Sequence, residues 1–369
     1  MIFLKESITL KIGIIHPFFD VFGGAEKTTI CLIEALKKTN NFTTLYTVEP
    51  PSISETENFK IHKISGIKFR YFLKYQRLKK IKKLFKDAEN ENILYVAVIS
   101  PITLERTKVS SIFLYCHTTF SYESEFINKR FTGVKGIYQK KMQNRVKMSM
   151  SLLKDSKVRI ISNSGFTKQE INNRLDKDSI VIYPPVDINK FLKLYNQPKI
   201  EKVITVSRFS PEKNLEFIID IAKNSGLKHE IVGNAKHQYQ INLYNDLRKN
   251  SVGENISLYC NISSNKIESL LSSAKVYFQP SEETFGIAVV EAISAGCIPI
   301  VPNHTAHPET TPFKELRYEG KEQAIEKLQN AISGKYDHLK PELKKHVEKF
   351  SVDAFQRNML KVIQNDRKK

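Results

Sequence analysis

Two glutamates, Glu283 and Glu291, lie eight residues apart where a strand pattern passes into a helix pattern. The apolar run Val276-Tyr-Phe278 ends at Pro280, a short loop with Gly286 follows, and helical periodicity then begins. Parallel α/β sheets bind ligands at such strand-to-helix loops, and helix N-termini favour anions. Carboxylates on both sides of the loop can accept hydrogen bonds from sugar hydroxyls. In the alternative interpretation, Glu283 caps the helix and Glu291 lies on its solvated face.

Two cations follow another apolar strand pattern. Arg208 comes just after that strand, and Lys213 stands five residues further on, at the start of the next helical run. Such a pair could bind the phosphates of a sugar-nucleotide donor and stabilise the negative charge that develops as a glycosidic bond breaks. In the alternative interpretation, Arg208 pairs with Glu212 and Lys213 is solvated.

Two further strand ends in the first half of the chain carry candidate site residues. Gly23 and Gly24 lie where a first strand passes into a first helix, and glycine lets a backbone approach a phosphate closely and adopt positive φ. An ordinary turn would look the same, and the loop matches neither the dinucleotide fingerprint nor the P-loop. His117 follows the apolar run Ile112–Cys116, which places it at the ligand-binding edge of a sheet or makes it a structural hydrogen-bonding group.

Five segments occur in an order and spacing that point to one family. They are His16–Lys27, Ser162–Lys168, Val181–Asp187, Val206–Asn214 and Pro280–Gly296. Together they resemble the retaining GT-B glycosyltransferases of family 4, the glycosyl transferases group 1 type, over nearly the whole chain. The resemblance implies an α/β GT-B fold, in which two Rossmann-like domains with parallel sheets face each other across a cleft. It implies an acceptor-side domain over 1–190, a donor-side domain over 200–345, and a C-terminal helix, 346–369, that crosses back to the first domain.

The resemblance also implies roles for individual residues. The implied catalytic residues are Arg208, Lys213, Glu283 and His117, and the implied donor-binding residues are Gly23, Gly24, Phe285, Gly286, Ile287 and Glu291. The cations would bind the leaving diphosphate, Glu283 and His117 the transferred sugar, and Glu291 the ribose. Glu283 acts either as a covalent nucleophile or in a front-face transfer in which the leaving diphosphate helps to deprotonate the acceptor. The implied donor is UDP- or GDP-linked, with no cofactor and no metal required.

The chain departs from the family pattern at two loops. After Val301 many members carry a Gly-Gly pair before Pro-Glu, whereas this chain reads Pro302-Asn-His-Thr-Ala-His-Pro-Glu309, which puts donor selectivity there in doubt. The usual glycine before the base-binding segment is also replaced near Cys260-Asn261-Ile262. His304 and His307 lack a third ligand nearby in the sequence, so we expect no metal site.

The rest of the chain alternates short apolar runs with helical stretches, which predicts parallel sheets covered by helices. Asn189–Lys202 is mixed and polar and is interpreted as a linker between domains. Lys344–Ile363 has a helical pattern, with Ser351 as an N-cap before a final helix. The predicted strands are 8–15, 42–47, 93–99, 111–116, 158–162, 180–183, 202–207, 228–232, 255–260, 275–279 and 298–301.

Composition suggests an anionic partner. The net charge is +19, and between Lys60 and Lys86 there are eleven Lys and Arg and no Asp or Glu. Tyr71, Tyr75, Leu78, Ile81 and Phe85 recur there at helical spacing, which predicts a basic amphipathic helix of the kind that lies on anionic membranes. Its basic residues are Lys74, Arg77, Lys79, Lys80, Lys82 and Lys83. Alternatively, the helix packs on its own domain and the lysines are simply solvated.

Four scattered cysteines in apolar runs predict reduced core residues of a cytosolic protein. Without a signal peptide or an apolar run long enough to span a bilayer, we expect a cytoplasmic protein, peripheral on the cytosolic face of a membrane. The leading hypothesis is a retaining transferase with a lipid-linked or other membrane-borne glycan acceptor and no nucleic-acid partner. The alternatives are the same fold acting on a soluble acceptor, and a non-catalytic basic protein that binds membranes or nucleic acid.

Overall fold

The computed structural model describes residues 9–19, 23–64, 73–98, 104–118, 133–253 and 255–366. The chain divides into two compact units. Unit 1 consists of Met1–Tyr183 together with Phe355–Lys369, and unit 2 consists of Pro184–Ala354.

Unit 1 is built on a parallel sheet whose described strands have the order β3-β2-β1-β4-β5-β6-β7. The strands are β1 (Lys11–Ile15), β2 (Phe42–Thr47), β3 (Phe59–Lys63), β4 (Ile93–Val98), β5 (Ser111–Cys116), β6 (Val158–Ser162) and β7 (Ser179–Val181). The helices between them are α1 (Gly24–Lys37), α2 (Leu73–Asp87), α3 (Gly133–Leu153) and α4 (Gly165–Leu175).

Side chains that alternate along the central strands fill a separate core on each face of this sheet. Phe113 belongs to one hydrophobic cluster, and its neighbour Leu114 belongs to the other. This alternation follows from the two-residue period of a strand. Both faces are apolar because a parallel sheet is covered on both sides.

Unit 2 is built on a second parallel sheet, with the order β10-β9-β8-β11-β12-β13. The strands are β8 (Ile200–Val206), β9 (His229–Gly233), β10 (Ile256–Cys260), β11 (Ala274–Phe278), β12 (Ile298–Pro302) and β13 (Arg317–Tyr318). The helices are α5 (Ile188–Leu192), α6 (Leu215–Ser225), α7 (Gln238–Asn250), α8 (Ser264–Ser273), α9 (Ile287–Ser294), α10 (His307–Thr310), α11 (Lys321–Ile332) and α12 (Lys340–His346). Because β8 and β11 are neighbours from which the strand order runs in opposite directions, the switch point of the sheet lies between them.

The last helix, α13 (Val352–Asp366), contains the boundary between the two units. Ser351 Oγ accepts a hydrogen bond from Ala354 N at 3.2 Å, which confirms the predicted N-cap. Phe355, Met359 and Ile363, spaced four residues apart, lie in one core cluster of unit 1. Burying side chains of this size contributes about 1.5–3 kcal/mol each, so the helical pattern explains why this segment packs on the sheet.

Most predicted strands are found within a residue or two of their bounds, but four sequence predictions need correction. The polar stretch interpreted as a linker instead contains α5 and the start of β8, both within unit 2. Phe191 of α5 is buried, so a mixed composition concealed a packed helix. β3 and β13 were not predicted, and the helical pattern after Lys344 is interrupted by a 3-10 turn over Val347–Phe350.

The basic helix is α2, and its apolar face is used by unit 1 itself. Ile81, Leu84 and Phe85 are buried in the unit 1 core, while Lys79, Lys82 and Lys83 are exposed. The described apolar residues of α2 therefore pack on its own domain, as in the alternative interpretation, and are not available to enter lipid. Tyr71 lies outside the described residues, as do the side chains of Lys74, Tyr75, Arg77 and Leu78. None of the helices in the described part of the chain is long and apolar enough to cross a bilayer.

The four cysteines are free thiols. Cys116 and Cys297 are buried, as predicted, and burial raises the pKa of the Cys116 thiol to about 12. Cys31 and Cys260 are half-buried.

Candidate functional site

The predicted cations of unit 2 lie beyond the carboxyl end of β8, but in different environments. Arg208 is 59% exposed and its guanidinium lies 3.6 Å from Glu212. Lys213 closes the 3-10 turn Pro211–Lys213, just before α6, and its side chain is only 15% exposed. Asn214 then adopts positive φ and turns the chain into α6. Arg208 thus lies near Glu212, as the alternative interpretation expects, whereas Lys213 is not a solvated side chain.

Lys213 reaches across the switch point to a predicted site carboxylate. Its Nζ lies 2.6 Å from Glu283 Oε1. Gln279 Nε2 and Ser281 Oγ donate to the same oxygen at 3.2 and 3.3 Å, and Gln279 is itself held by the Tyr277 hydroxyl at 2.9 Å. A carboxylate with three donors on one oxygen is held in one orientation, and its second oxygen points elsewhere.

Glu283 and Glu291 act on the same buried phenol. Tyr277 lies on β11, which is followed by Glu283 in the next loop and by Glu291 in α9. Burial raises the pKa of Tyr277 well above its usual value, and the negative charges of Glu283 and then Glu291 raise it further. The charges of both predicted glutamates therefore act on one side chain of β11.

The loop between the glutamates provides main-chain rather than side-chain groups. Gly286 is the N-cap of α9 and has φ +93°, a conformation that favours glycine. Phe285 is 2% exposed, and its ring packs edge-on against Phe350 at 5.1 Å. Ile287 begins α9. The predicted roles of these three residues therefore depend on their backbone N–H groups, which lie at the positive end of α9.

The loop after β12 lies against Glu283. Thr305 has φ +58°, its hydroxyl accepts from Glu283 N at 3.4 Å, and Ala306 N donates to Glu283 O at 3.2 Å. His307 Nε2 donates to the Ser281 carbonyl at 2.9 Å, which fixes its tautomer. Burial lowers the pKa of His307 to about 4, so the ring is neutral at pH 7. The left-handed turn in this loop is thus made at Thr305, without a glycine.

The other loop that departs from the family pattern also contains a left-handed residue. Asn261, just after β10, has φ +55°, and its side-chain amide bonds both main-chain groups of Ala235 at 3.0 Å. Asparagine tolerates this conformation better than most residues. At the neighbouring strand end, a Cβ on Gly233 would lie 2.1 Å from the Ser207 carbonyl, so only glycine fits. The ends of β8, β9 and β10 are therefore tightly joined.

In unit 1 the Gly23–Gly24 loop is held by a buried glutamate. Gly23 has φ −136° and so does not need positive φ. Its N–H donates to Glu26 Oε2 at 2.8 Å, and Glu26 Oε1 lies 3.5 Å from His16 Nε2. Burial raises the pKa of Glu26, but the hydrogen bond and charge of His16 and backbone donors outweigh it, so that the pKa is lowered overall.

His16 and His117 follow β1 and β5, on either side of β4 in the sheet. His16 is 1% exposed, bonds Thr29 Oγ1 through Nδ1 at 2.8 Å and stacks on Phe19. The pKa of His117 is lowered to about 3, by burial first and then by the proximity of His16, against the opposing charge of Glu26. His117 is therefore neutral at pH 7 and has the chemistry of a hydrogen-bonding group.

The structure thus presents two sets of site residues, one in each unit. Unit 2 contains the predicted residues after β8 and β11, and unit 1 contains Gly23, Gly24 and His117. Several residues that support these sets were not predicted, namely His16, Glu26, Gln279, Ser281 and Thr305. His16 and Glu26 stand within a segment that the sequence had singled out, so their type and position could have identified them. Across the described ranges no group of three or more His, Cys, Asp or Glu is placed to hold a metal ion.

Known proteins resemble this chain in sequence and in fold. Residues 188–333 match the family Glycosyl transferases group 1. Over 214 residues the chain is 27% identical to the GDP-Man:Man(3)GlcNAc(2)-PP-Dol alpha-1,2-mannosyltransferase of Dictyostelium discoideum. That alignment covers 50% of this chain and 42% of the relative, so the chain matches less than half of the relative's length.

Two solved structures extend the likeness to nearly the whole chain. The structure of HepE from Anabaena, in complex with UDP and glucose, has a TM-score of 0.67 at 15% identity and covers 96% of this chain and 99% of that one. WaaG, a glycosyltransferase involved in lipopolysaccharide biosynthesis, has a TM-score of 0.67 at 12% identity, with 95% and 99% covered. Two parallel-sheet units that match such proteins along their length define the GT-B glycosyltransferase fold, and the predicted fold class is confirmed. Within that fold, the match to the Glycosyl transferases group 1 family lies in unit 2.

Proposed function

We propose that this chain is a retaining, hexosyltransferase-like enzyme that moves a sugar from a UDP- or GDP-linked donor, without a cofactor or a required metal ion. The observation that carries the proposal is the Lys213–Glu283 contact at the switch point of the unit 2 sheet. A cation and a carboxylate side by side suit a ligand that combines an anionic diphosphate with a hydroxyl-rich sugar. The group 1 match over residues 188–333 supports this assignment.

The two cations have complementary parts in the proposed reaction. Arg208 is exposed and its contact with Glu212 is long, so a phosphate can replace that contact at little cost. Lys213 is held by Glu283 and is already oriented before a donor binds. Charge on the leaving diphosphate grows as the glycosidic bond breaks, and preorganised cations stabilise that charge more in the transition state than in the ground state.

Glu283 binds the donor sugar in this proposal. Three donors already approach its Oε1, which leaves Oε2 to accept a sugar hydroxyl. The same contacts lower the nucleophilicity of the carboxylate, which supports front-face transfer over a covalent intermediate. In front-face transfer the acceptor oxygen forms the new bond as the diphosphate leaves, and the diphosphate takes the acceptor proton. Glu291 binds the ribose, and the backbone N–H groups of Phe285, Gly286 and Ile287 bind phosphate or sugar.

We place the acceptor side in unit 1 and propose a lipid-linked or membrane-borne acceptor. His117 contacts the transferred sugar as a neutral hydrogen-bonding group, and Gly23 and Gly24 face the donor diphosphate. The exposed lysines of α2 would attract an anionic membrane surface electrostatically, on its cytosolic face, without inserting the helix. The dolichol-linked substrate in the name of the Dictyostelium relative supports this class of acceptor.

A thermal-shift panel tests the donor proposal. UDP, GDP, ADP and their common sugar conjugates are each added to the protein, and a specific ligand raises the melting temperature because it binds only the folded state. A ligand at 100 times its dissociation constant stabilises by about 2.7 kcal/mol. The best donor is then used in a transfer assay, and NMR of the product shows whether the anomeric configuration is retained. Failure of every nucleotide to shift the melting temperature, or an inverted product, would contradict the proposal.

A further inference from the structure

Thr305 occupies a backbone conformation that a β-branched residue rarely adopts. Its φ is +58°, in the left-handed region. A side chain branched at Cβ is crowded there, and such outliers persist only where surrounding contacts maintain them. Glycine would adopt the same φ without strain. The contacts of the Thr305 hydroxyl therefore need an explanation.

The hydroxyl joins two loops at the site. Thr305 Oγ1 donates to the His304 carbonyl at 2.7 Å and accepts from the Glu283 N–H at 3.4 Å. The next N–H, of Ala306, donates to the Glu283 carbonyl at 3.2 Å. The loop after β12 thus holds the main chain of Glu283 through both its N–H and its C=O. On the other side, the Glu283 carboxylate is in contact with Lys213 at 2.6 Å.

We propose that Thr305 is a positioning residue for Glu283, and that its hydroxyl sets how the Glu283 carboxylate meets the donor sugar. This inference rests on the proposed function, in which Glu283 binds that sugar. A glycine at this position would keep the loop conformation and lose the bond to Glu283. Thr305 keeps both, and its side chain also occupies space beside Glu283 that a glycine would leave open. Thr305 thereby adds a contact that a glycine cannot make.

Three substitutions separate the hydroxyl from the shape and the strain. Thr305→Ser keeps the hydroxyl, Thr305→Val keeps the branched shape without it, and Thr305→Gly removes both the hydroxyl and the strain. Asp176→Gly is the matched control, because Asp176 is an exposed non-glycine residue with φ +50° in unit 1. Each variant is measured for kcat with the donor found in the thermal-shift panel, for affinity of the bare nucleoside diphosphate, and for melting temperature.

The expected result is a loss of turnover that follows the hydroxyl. Thr305→Val and Thr305→Gly lower kcat by about fivefold to thirtyfold, the size expected for one lost hydrogen bond near the reacting sugar. Affinity for the bare diphosphate stays within about twofold of wild type in both of these variants, because Glu283 binds the sugar and not the diphosphate. Thr305→Ser and Asp176→Gly keep near wild-type kcat. Thr305→Gly melts no lower than Thr305→Val, since it relieves the left-handed strain. Wild-type turnover in Thr305→Val would overturn the inference.

Amide hydrogen exchange at Glu283 distinguishes this inference from the proposed function. The Glu283 N–H donates to the Thr305 hydroxyl, so its exchange should be faster in Thr305→Val and Thr305→Gly, and unchanged in Thr305→Ser. If the wild-type chain transfers no sugar but shows this exchange pattern, the proposed function fails and the positioning of Glu283 stands. If exchange at Glu283 is the same in Thr305→Val as in the wild type, the positioning role is wrong whatever the enzyme does.

Discussion

Lys213 Nζ lies 2.6 Å from Glu283 Oε1, although the two residues are 70 positions apart in the chain. Lys213 follows β8 and Glu283 follows β11, and these two strands are neighbours at the switch point of the unit 2 sheet. The contact joins the predicted phosphate-binding loop to the predicted sugar-binding loop. Each residue therefore orients the other before any ligand is bound, which reduces the reorganisation needed when a donor arrives.

Removing either cation should reduce transfer strongly. Arg208→Ala and Lys213→Ala are each expected to lower kcat by about 10²-fold or more, because each loses stabilisation of the charge on the leaving diphosphate. The two should differ in stability. Arg208 is 59% exposed, so its loss should leave the melting temperature unchanged. Lys213→Ala should lower the melting temperature, because it leaves the half-buried Glu283 without its cation.

Thermal denaturation and initial rates measured on the same preparations check both parts of this prediction. Lys223→Ala, an exposed lysine on α6 of the same unit, is the control and should change neither quantity. Near wild-type turnover in a folded Arg208→Ala or Lys213→Ala variant would rule out that cation as a phosphate-binding group.

The two glutamates should differ in what they bind. Glu291→Ala is expected to weaken binding of the bare nucleoside diphosphate, because the ribose hydroxyls lose their hydrogen-bond acceptor. Glu283→Ala is expected to lower turnover and sugar discrimination while the diphosphate still binds. Isothermal titration with the bare diphosphate, followed by rates with several donor sugars, measures the difference. An equal loss of diphosphate affinity in both variants would show that the division of roles is wrong.

Unit 2 should lose stability in mild acid through a buried histidine on β9. His229 is 1% exposed, and neither of its ring nitrogens has a hydrogen-bond partner among the described residues. Burial lowers its pKa from 6.5 to about 4. The folded state therefore takes up the proton less readily than the unfolded state, so stability is full above pH 6.5 and falls as the pH drops towards 4. The slope from one such group approaches about 1.4 kcal/mol per pH unit.

His229→Leu should flatten that pH dependence. Urea denaturation between pH 7 and pH 4.5 measures it, and exposed His338, replaced by Gln, provides the control. The His338→Gln protein should follow the wild-type curve. A His229→Leu protein that loses stability as steeply as the wild type would mean that other groups, such as His307 with its similarly lowered pKa, dominate the acid response.

The basic face of α2 should attract anionic membranes by charge alone. We expect that a variant with four lysines replaced by Gln no longer binds anionic vesicles, since each lysine near such a surface contributes about 1 kcal/mol of binding free energy. The four are Lys79, Lys80, Lys82 and Lys83. High salt should release the wild type in the same way. Activity on a short, soluble acceptor analogue should survive. Co-sedimentation with vesicles at low and high salt is the measurement.

A charge-matched control separates a local surface from net charge. Lys223, Lys249, Lys266 and Lys345 are exposed in unit 2, and replacing these four by Gln changes the net charge equally. If this control variant loses vesicle binding to the same extent as the α2 variant, the attraction comes from the overall charge of +19. If the wild-type protein does not bind anionic vesicles at low salt, the soluble-acceptor alternative is favoured. If it binds nucleic acid in preference to vesicles, the alternative of a non-catalytic basic protein is favoured.

Local patterns in the sequence were enough to predict most of the strands, with bounds within a residue or two. Apolar runs that stop at Pro280 or before Arg208 predict strand ends because a buried parallel strand must be apolar on both faces. Ser351 could be recognised as an N-cap from its neighbours alone. The same reasoning missed β3, because Phe59-Lys-Ile-His-Lys63 is a partly exposed strand at the sheet edge and therefore has a polar composition.

Only the tertiary structure shows which of the predicted residues contact one another. Lys213 could have been solvated, and only the pairing of β8 with β11 brings it to Glu283. The apolar residues of α2 could have faced lipid, and only the packing of the unit 1 core shows that Ile81 and Phe85 are used inside. The sequence showed that the loops containing Thr305 and Asn261 lack glycines usual in the family, but backbone dihedral angles are set by long-range contacts. Their left-handed conformations therefore became visible only in the folded chain.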